Sequence, residues 1–321
     1  TKFDFPIICV GNIAAGGTGK TPHIEWLIQH LQFEFQLAVL SRGYKRKTVG
    51  YLLADAFTTP EQIGDEPFQI TQKYPNIQLA VSENRVLGVP ALLGDTPDTQ
   101  VILMDDGFQH LPIEPGYSII LTDYRNLFYN DWLLPSGSLR EFRSGYKRAQ
   151  CIVVSKCPTN LSEVDKQSIR KRINPLQHQL VLFSSLTYQS LQPVYDSVIT
   201  IAPSTEVLAF SGIAHNTLFI EELKRQFKMV HAIPYSDHKN YSEKELTTIA
   251  NRFNNLSSTN KIIVTTEKDA VKLRSPQAQQ ILGKLPVYVL PVAVHFDNVS
   301  QEQLLSTLRA YINETLFLSE E

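Results

Sequence analysis

Pro6-Ile7-Ile8-Cys9-Val10 runs through Gly11-Asn12-Ile13 into Ala14-Ala15-Gly16-Gly17-Thr18-Gly19-Lys20-Thr21. The first five residues read as a buried strand. The last eight match the Walker A pattern with alanine in its first place. Beyond them Ile24, Leu27, Ile28 and Leu31 recur at helical spacing, which predicts a helix from about Lys20 to Leu31. Strand, glycine-rich turn and amphipathic helix in that order make a phosphate-binding loop. Glycines let backbone N–H groups turn inward around phosphate oxygens, and the helix N-terminus adds the positive end of its dipole. Lys20 is expected to reach the β- and γ-phosphates, and the Thr21 hydroxyl to bind Mg2+. Ala14, Ala15, Gly16, Gly17, Thr18, Gly19, Lys20 and Thr21 are the expected nucleotide-binding residues. Partitioning-type ATPases carry a second lysine early in this loop, where Ala15 stands here. GTPases read guanine with Asn/Thr-Lys-x-Asp, and the nearest stretch, Thr266-Glu267-Lys268-Asp269, has the wrong order. ATP is favoured over GTP.

Downstream, short apolar runs alternate with helical patterns, the mark of parallel βαβ units. Strands are expected at Leu37–Leu40, Ile77–Val81, Val101–Asp105, Ser118–Thr122, Cys151–Val154 and Gln179–Ser185, with a mostly polar helix at Leu161–Ile173. Leu186–Tyr195 has the composition of an extended connector. A second set follows, with strands at Val207–Phe210, Ile262–Val264 and Val287–Leu290 and helices at Leu218–Phe227, Ser242–Leu256 and Gln301–Ile312. The expected fold is α/β: a P-loop NTPase-type parallel sheet over residues 1–185, and a second, smaller α/β lobe over 186–296 joined by extended linker segments. A C-terminal helix at about 297–321 is expected to pack back on the first domain.

The 321 residues are 43% hydrophobic, enough for one large core or two smaller ones. The net charge of −2 gives no electrostatic case for a nucleic-acid partner, and no protein partner is evident. Cys9, Cys151 and Cys157 are too few and wrongly spaced for a disulfide scaffold or a zinc site, and read as reduced core residues. No signal-peptide pattern or membrane-spanning apolar run is present. The chain starts at Thr1 with a strand almost at once, and a preceding segment is expected to be missing.

Val101-Ile102-Leu103-Met104-Asp105-Asp106 is an apolar strand ending in two acids, a Walker B-like arrangement. Ligands of parallel sheets bind at the C-terminal strand ends, and an aspartate there can hold Mg2+ beside the loop. Taken alone, the same pair would equally suit a solvated acidic turn before Gly107. Gly64-Asp65-Glu66-Pro67 is a turn signature whose acids could simply cap a helix. Leu139-Arg140-Glu141 follows the turn Pro135-Ser136-Gly137, and a surface ion pair is its plainer reading. Ser236-Asp237-His238 suits a helix-entry loop.

Taken in order, these motifs resemble those of the tetraacyldisaccharide 4′-kinase family. The resemblance is carried by Val10-Gly11-Asn12, Gly16-Gly17-Thr18-Gly19-Lys20-Thr21-Pro22, Ser41-Arg42-Gly43-Tyr44, Gly64-Asp65-Glu66-Pro67 and Asp105-Asp106-Gly107-Phe108-Gln109-His110. It continues through Leu134-Pro135-Ser136-Gly137-Ser138-Leu139-Arg140-Glu141, Phe210-Ser211-Gly212-Ile213-Ala214, Asp237-His238 and Thr266-Glu267-Lys268-Asp269-Ala270. Phe142 stands where the family often has proline, and His215-Asn216 replace a more usual Asn-Pro type pair. The resemblance implies a kinase using ATP and Mg2+ on the 4′-hydroxyl of a tetraacylated glucosamine disaccharide 1-phosphate, in lipid A synthesis. It implies an acylated disaccharide lipid substrate and an inner-membrane surface as partners, at the cytoplasmic face of the Gram-negative inner membrane. Members usually carry a hydrophobic helical segment before the first strand, and that anchor is expected to be absent from this chain. By the resemblance, Asp65 is the catalytic base with His238 as its partner across the lobes, and Lys20 and Arg140 act on the phosphates. Thr21, Asp105, Asp106 and Glu141 hold or orient the metal, and Arg85, Gln109 and His110 contact the substrate head group. Two rival readings are a P-loop kinase or ligase for a soluble metabolite and a non-enzymatic ATP-dependent switch.

Overall fold

The computed structural model describes residues 1–196, 199–213, 216–237 and 239–320. The chain divides into one unit of Thr1–Thr187 with Val294–Glu321 and another of Tyr188–Ala293. In chain order the first contains β1 (Ile7–Asn12), α1 (Lys20–Leu31), β2 (Leu37–Ser41), β3 (Leu52–Leu53), α2 (Pro60–Ile63), α3 (Asp65–Lys73), β4 (Gln78–Val81), α4 (Arg85–Asp95), β5 (Val101–Asp105), β6 (Tyr117–Asp123), β7 (Cys151–Ser155), α5 (Glu163–Ile173) and β8 (Leu180–Tyr188). The second contains β9 (Gln192–Pro193), β10 (Glu206–Ser211), α6 (Thr217–Gln226), β11 (Met229–Pro234), α7 (Glu243–Asn254), β12 (Lys261–Thr265), α8 (Glu267–Ala270), α9 (Pro276–Leu282) and β13 (Val287–Val289). The chain then returns through β14 (Val292–Phe296) and α10 (Asn298–Glu320).

The large sheet runs β14-β8-β7-β6-β1-β5-β2-β4-β3. Its central pairs, from β4 through to β8, are all parallel. Helices must cover both faces of such a sheet, so its middle strands read as continuous apolar runs. β1, β2, β5 and β7 are buried at every position. β1 is bordered by β5 on one side and β6 on the other, so successive connections leave it in opposite directions. Sheets of this kind bind ligands at such a reversal point, outside the carboxyl ends of the strands. The phosphate loop and Asp105 both emerge there.

The smaller sheet runs β11-β10-β12-β13-β9. Alternation along β10 sends Leu208 and Phe210 into a core with α7 and α9, and Val207 and Ala209 into another with α6. Several elements go beyond the sequence reading, β3, α2, α3, α8, α9 and β14 among them, and three show why. β11 lies at a sheet edge and is half-exposed, so it carries no apolar alternation. α4 forms despite Gly88 and Pro90, because the Asn84 side chain accepts from the amides of Val86 and Leu87 and starts the helix. The stretch expected as a connector begins as the end of β8 and includes the short strand β9. Among the described residues, no helix is long and apolar enough to cross a membrane.

Candidate functional site

The phosphate loop is held from several strands at once. Gly16 (φ 110°) and Gly19 (φ 91°) occupy the left-handed region that turns the chain around the phosphate position. A Cβ added at Gly16 or Gly17 would meet nothing within 4 Å, so the cradle between them is open. Behind it, the Asn12 side chain donates to the Thr18 hydroxyl at 3.0 Å, and the Ser155 hydroxyl donates to the Thr18 carbonyl at 2.8 Å. Lys156, just after β7, donates to the Gly17 carbonyl and pairs with Asp123 at 2.8 Å. The His23 Nδ1–H donates to the Gly19 carbonyl at 2.7 Å, and its Nε2 accepts from the Ser184 hydroxyl at 3.0 Å. Burial lowers the His23 ring to about 4, so it stays neutral in this role.

Three acids converge on the loop. Asp105, at the end of β5, is buried; one oxygen accepts from Ser41 at 3.2 Å and the other has no partner. Burial first, then the charges of Glu66 and Asp106, push its carboxyl up to about 7. Asp106 lies 3.5 Å from the Lys20 ammonium and 3.8 Å from the Arg140 guanidinium. The Thr21 hydroxyl donates to Glu66 at 3.2 Å. Glu66 follows Asp65 in the first turn of α3.

This donor set suits Mg2+, a hard ion that takes one or two carboxylates and completes its shell with phosphate oxygens and water. A hydroxyl, two acids and an unpaired buried oxygen lie beside the open cradle. Among the described residues, no three His, Cys, Asp or Glu side chains form a complete metal nest by themselves. Glu141 is engaged elsewhere. It pairs with Arg148 at 2.8 Å, and Gln109 lies 3.5 Å from its carboxylate. Gln109 also donates to the Asn12 carbonyl, which ties the residues after β5 to the end of β1.

Arg85 is buried and donates to the Asp106 and Glu83 carbonyls, each at 3.2 Å, while its Nε has no partner. His110 has a buried, unpartnered Nε2, and its pKa is lowered by burial and by the positive charges of Arg85 and Arg42. Arg42, Arg85 and His110 therefore share a positive field.

Asp65 opens α3 beside Glu66, directly after Gly64. His238 lies outside the described residues. On either side of it, Asp237 pairs with Lys268 at 3.5 Å and Lys239 with Glu245 at 2.6 Å. The Thr266–Ala270 motif is structural: fully buried Asp269 accepts from the Gly212 amide, the Tyr241 hydroxyl and the Thr266 hydroxyl at 2.7–2.9 Å. Sequence reasoning missed Glu66, Lys156 and Arg42 as members of the site. Glu66 lies within Gly64-Asp65-Glu66-Pro67 and Arg42 within Ser41-Arg42-Gly43-Tyr44, whereas nothing in the sequence around Lys156 points to the loop.

A family model described as Tetraacyldisaccharide-1-P 4′-kinase matches residues 1–310. The tetraacyldisaccharide 4′-kinase of Bacteroides thetaiotaomicron is 41% identical over an alignment covering 98% of this chain and 86% of that protein. That of Flavobacterium johnsoniae is 41% identical, with 98% and 90% covered. A crystal structure of LpxK from Aquifex aeolicus in complex with ATP matches with a TM-score of 0.73 at 27% identity, over 97% of this chain and 90% of that one. Matches of this extent, on a chain whose phosphate loop and acids meet at one sheet end, place it in the tetraacyldisaccharide-1-P 4′-kinase family.

Proposed function

We propose that this chain transfers the γ-phosphoryl group of ATP to the 4′-hydroxyl of an acylated disaccharide 1-phosphate, the lipid A precursor, at the cytoplasmic face of the inner membrane. One observation carries the reading: an open glycine cradle, Lys20 and a buried acid with an unpaired oxygen share one end of the sheet.

Phosphoryl transfer asks for positioning and charge neutralisation more than for covalent chemistry. The backbone amides of Gly16, Gly17 and Gly19 would donate to the phosphates, since the Ala15 amide is held by the Ser138 carbonyl and the Thr18 amide by the Gly16 carbonyl. Asp106 holds Lys20 and Arg140 at long ion-pair distances, 3.5 and 3.8 Å, so each can turn to a phosphate without breaking a tight contact. Thr21, Asp105 and Glu66 would hold Mg2+, which would supply positive charge to offset that of the phosphates. Asp65 takes the proton of the attacking hydroxyl, and its place beside Glu66 in one helical turn fixes base and metal ligand relative to each other. His238 is its proposed partner. Glu141 acts at one remove, holding Arg148 and Gln109. Arg42, Arg85 and His110 supply the field for the substrate's phosphate, and Gln109 positions the residues around it.

The test is transfer of label from γ-labelled ATP to the acylated disaccharide 1-phosphate in micelles, compared with its deacylated form. Transfer confined to the acylated compound is the expected result. Equal turnover of the soluble, deacylated disaccharide would favour the soluble-metabolite reading.

A further inference from the structure

Between β6 and β7 the chain makes a tight knot that presents apolar side chains to solvent. The Leu139 amide donates to the Trp132 carbonyl and the Leu134 amide to the Leu139 carbonyl, each at 2.9 Å, and the amides of Ser136 and Gly137 close a turn on the Leu133 carbonyl. Buried Asp131 locks the base of this turn, accepting from the Trp132 amide at 2.7 Å, the Ser138 amide at 3.0 Å and the Asn126 side chain at 3.0 Å. The knot is also fastened to the phosphate loop: the Ala15 amide donates to the Ser138 carbonyl at 2.6 Å and the Arg140 amide to the Ile13 carbonyl at 2.9 Å.

Leu139 plugs the knot into the core, yet Trp132 is 67%, Leu134 57% and nearby Phe142 73% exposed. Leu133 is exposed as well. Single exposed apolar residues are ordinary, but several on one locked loop are not. The hydrogen bonds hold them out, because the backbone has no freedom to turn them inward. Charge distinguishes the possible occupants. Residues 140–148 carry Arg140, Arg143, Lys147 and Arg148 against Glu141 alone, in a chain whose overall charge is −2. The Arg143 guanidinium lies 5.2 Å over the Trp132 ring, and Lys147 is exposed. Tryptophan and leucine flanked by arginine and lysine suit the interface of a bilayer with negative headgroups.

We propose that Trp132, Leu133, Leu134 and Phe142, flanked by Arg143 and Lys147, dock onto an anionic bilayer surface and so hold the phosphate loop beside the membrane. The proposal rests on the kinase reading, since it supplies a way to meet a lipid substrate, but it is tested without catalysis. Trp26, buried in α1, and Trp132 are the two tryptophans of the chain, so the tryptophan signal has one exposed source. The full chain is mixed with phosphatidylcholine vesicles, with and without phosphatidylglycerol, in the absence of ATP and substrate. Anionic vesicles should shift the emission to the blue, and lipids brominated in the acyl chain should quench it. Trp132→Phe should abolish both effects while vesicle co-sedimentation persists. Leu133→Ser with Leu134→Ser should weaken partitioning about tenfold and leave turnover in detergent micelles unchanged. The proposal is overturned if anionic vesicles bind without quenching, if quenching survives in Trp132→Phe, or if no vesicle binding occurs. A response seen only after lipid substrate is added would also overturn it, and would assign the loop to the substrate's acyl chains. Since no turnover is needed, docking and phosphoryl transfer can fail independently.

Discussion

Asp105 is held in the core of the site with one oxygen on Ser41 and the other unpaired, and burial with the charges of Glu66 and Asp106 pushes it up to about 7. The unfolded chain releases this proton near 3.8, the ordinary aspartate value, whereas the folded chain keeps it to about 7. The folded state therefore binds more protons across that window, and this group's share of stability fades as the pH rises through it. His23 runs the other way. Its ring is lowered from 6.5 to about 4, so its contribution is present above the unfolded value and is lost as the pH falls through about 4. A divalent cation held there, as proposed, would compete with the Asp105 proton. In titrations of the ATP-bound protein, apparent Mg2+ affinity should rise as the pH climbs through about 7 and then level off. Asp105→Asn should bind the ion more weakly and lose that pH dependence. The same slope in the variant as in the wild type would remove Asp105 from the metal site.

α3 brings Glu66 to Thr21, with Asp65 beside it in the same turn, and its entry depends on Gly64. That residue has φ 95° and ψ 157°, a region open almost only to glycine, and an added Cβ would meet the Tyr44 carbonyl at 2.9 Å. Gly64→Ala should cost about 1–3 kcal/mol in urea unfolding and lower kcat, because the strain is relieved only by moving the first turn of the helix. A variant with wild-type kcat would show that this turn does not set the site. The same element marks the limit of what the sequence reveals. β1, the phosphate loop and α1 are legible because phosphate binding admits so few residue types, and the buried parallel strands are legible as apolar runs. α3 is short and carries Pro67, and α4 carries Gly88 and Pro90, so neither gives a clean helical period. A turn of Asp65 and Glu66 cannot say which acid faces Thr21, since that contact joins residues 45 positions apart. Asp105 and Asp106 were legible as a pair, but their division of partners between Ser41 and the cations of Lys20 and Arg140 is a property of the folded sheet end.

At the scale of the large unit, α10 returns to the start of the chain. The Tyr311 hydroxyl accepts from the Ile7 amide at 3.0 Å, and Arg309 pairs with Glu34 at 2.6 Å. These contacts differ in worth. Tyr311→Phe leaves a buried amide without a partner and should cost about 1–3 kcal/mol, whereas Arg309→Ala removes a partly exposed ion pair and should cost below about 1 kcal/mol. Chemical unfolding of both variants orders them, and a larger loss at Arg309 would reverse this account of how α10 is held. At the opposite end of β1 the open cradle, Lys20 and the acids meet. Wild type and Lys20→Ala, the latter checked for a native circular dichroism spectrum, are incubated with ATP, Mg2+ and the acylated disaccharide 1-phosphate, and the lipid is followed by phosphorus NMR. Wild type should produce a second phosphomonoester resonance on the lipid, and the variant should form it about a thousandfold more slowly. ATP consumed without that resonance, or the same rate from a folded Lys20→Ala, would contradict the proposed role of this site.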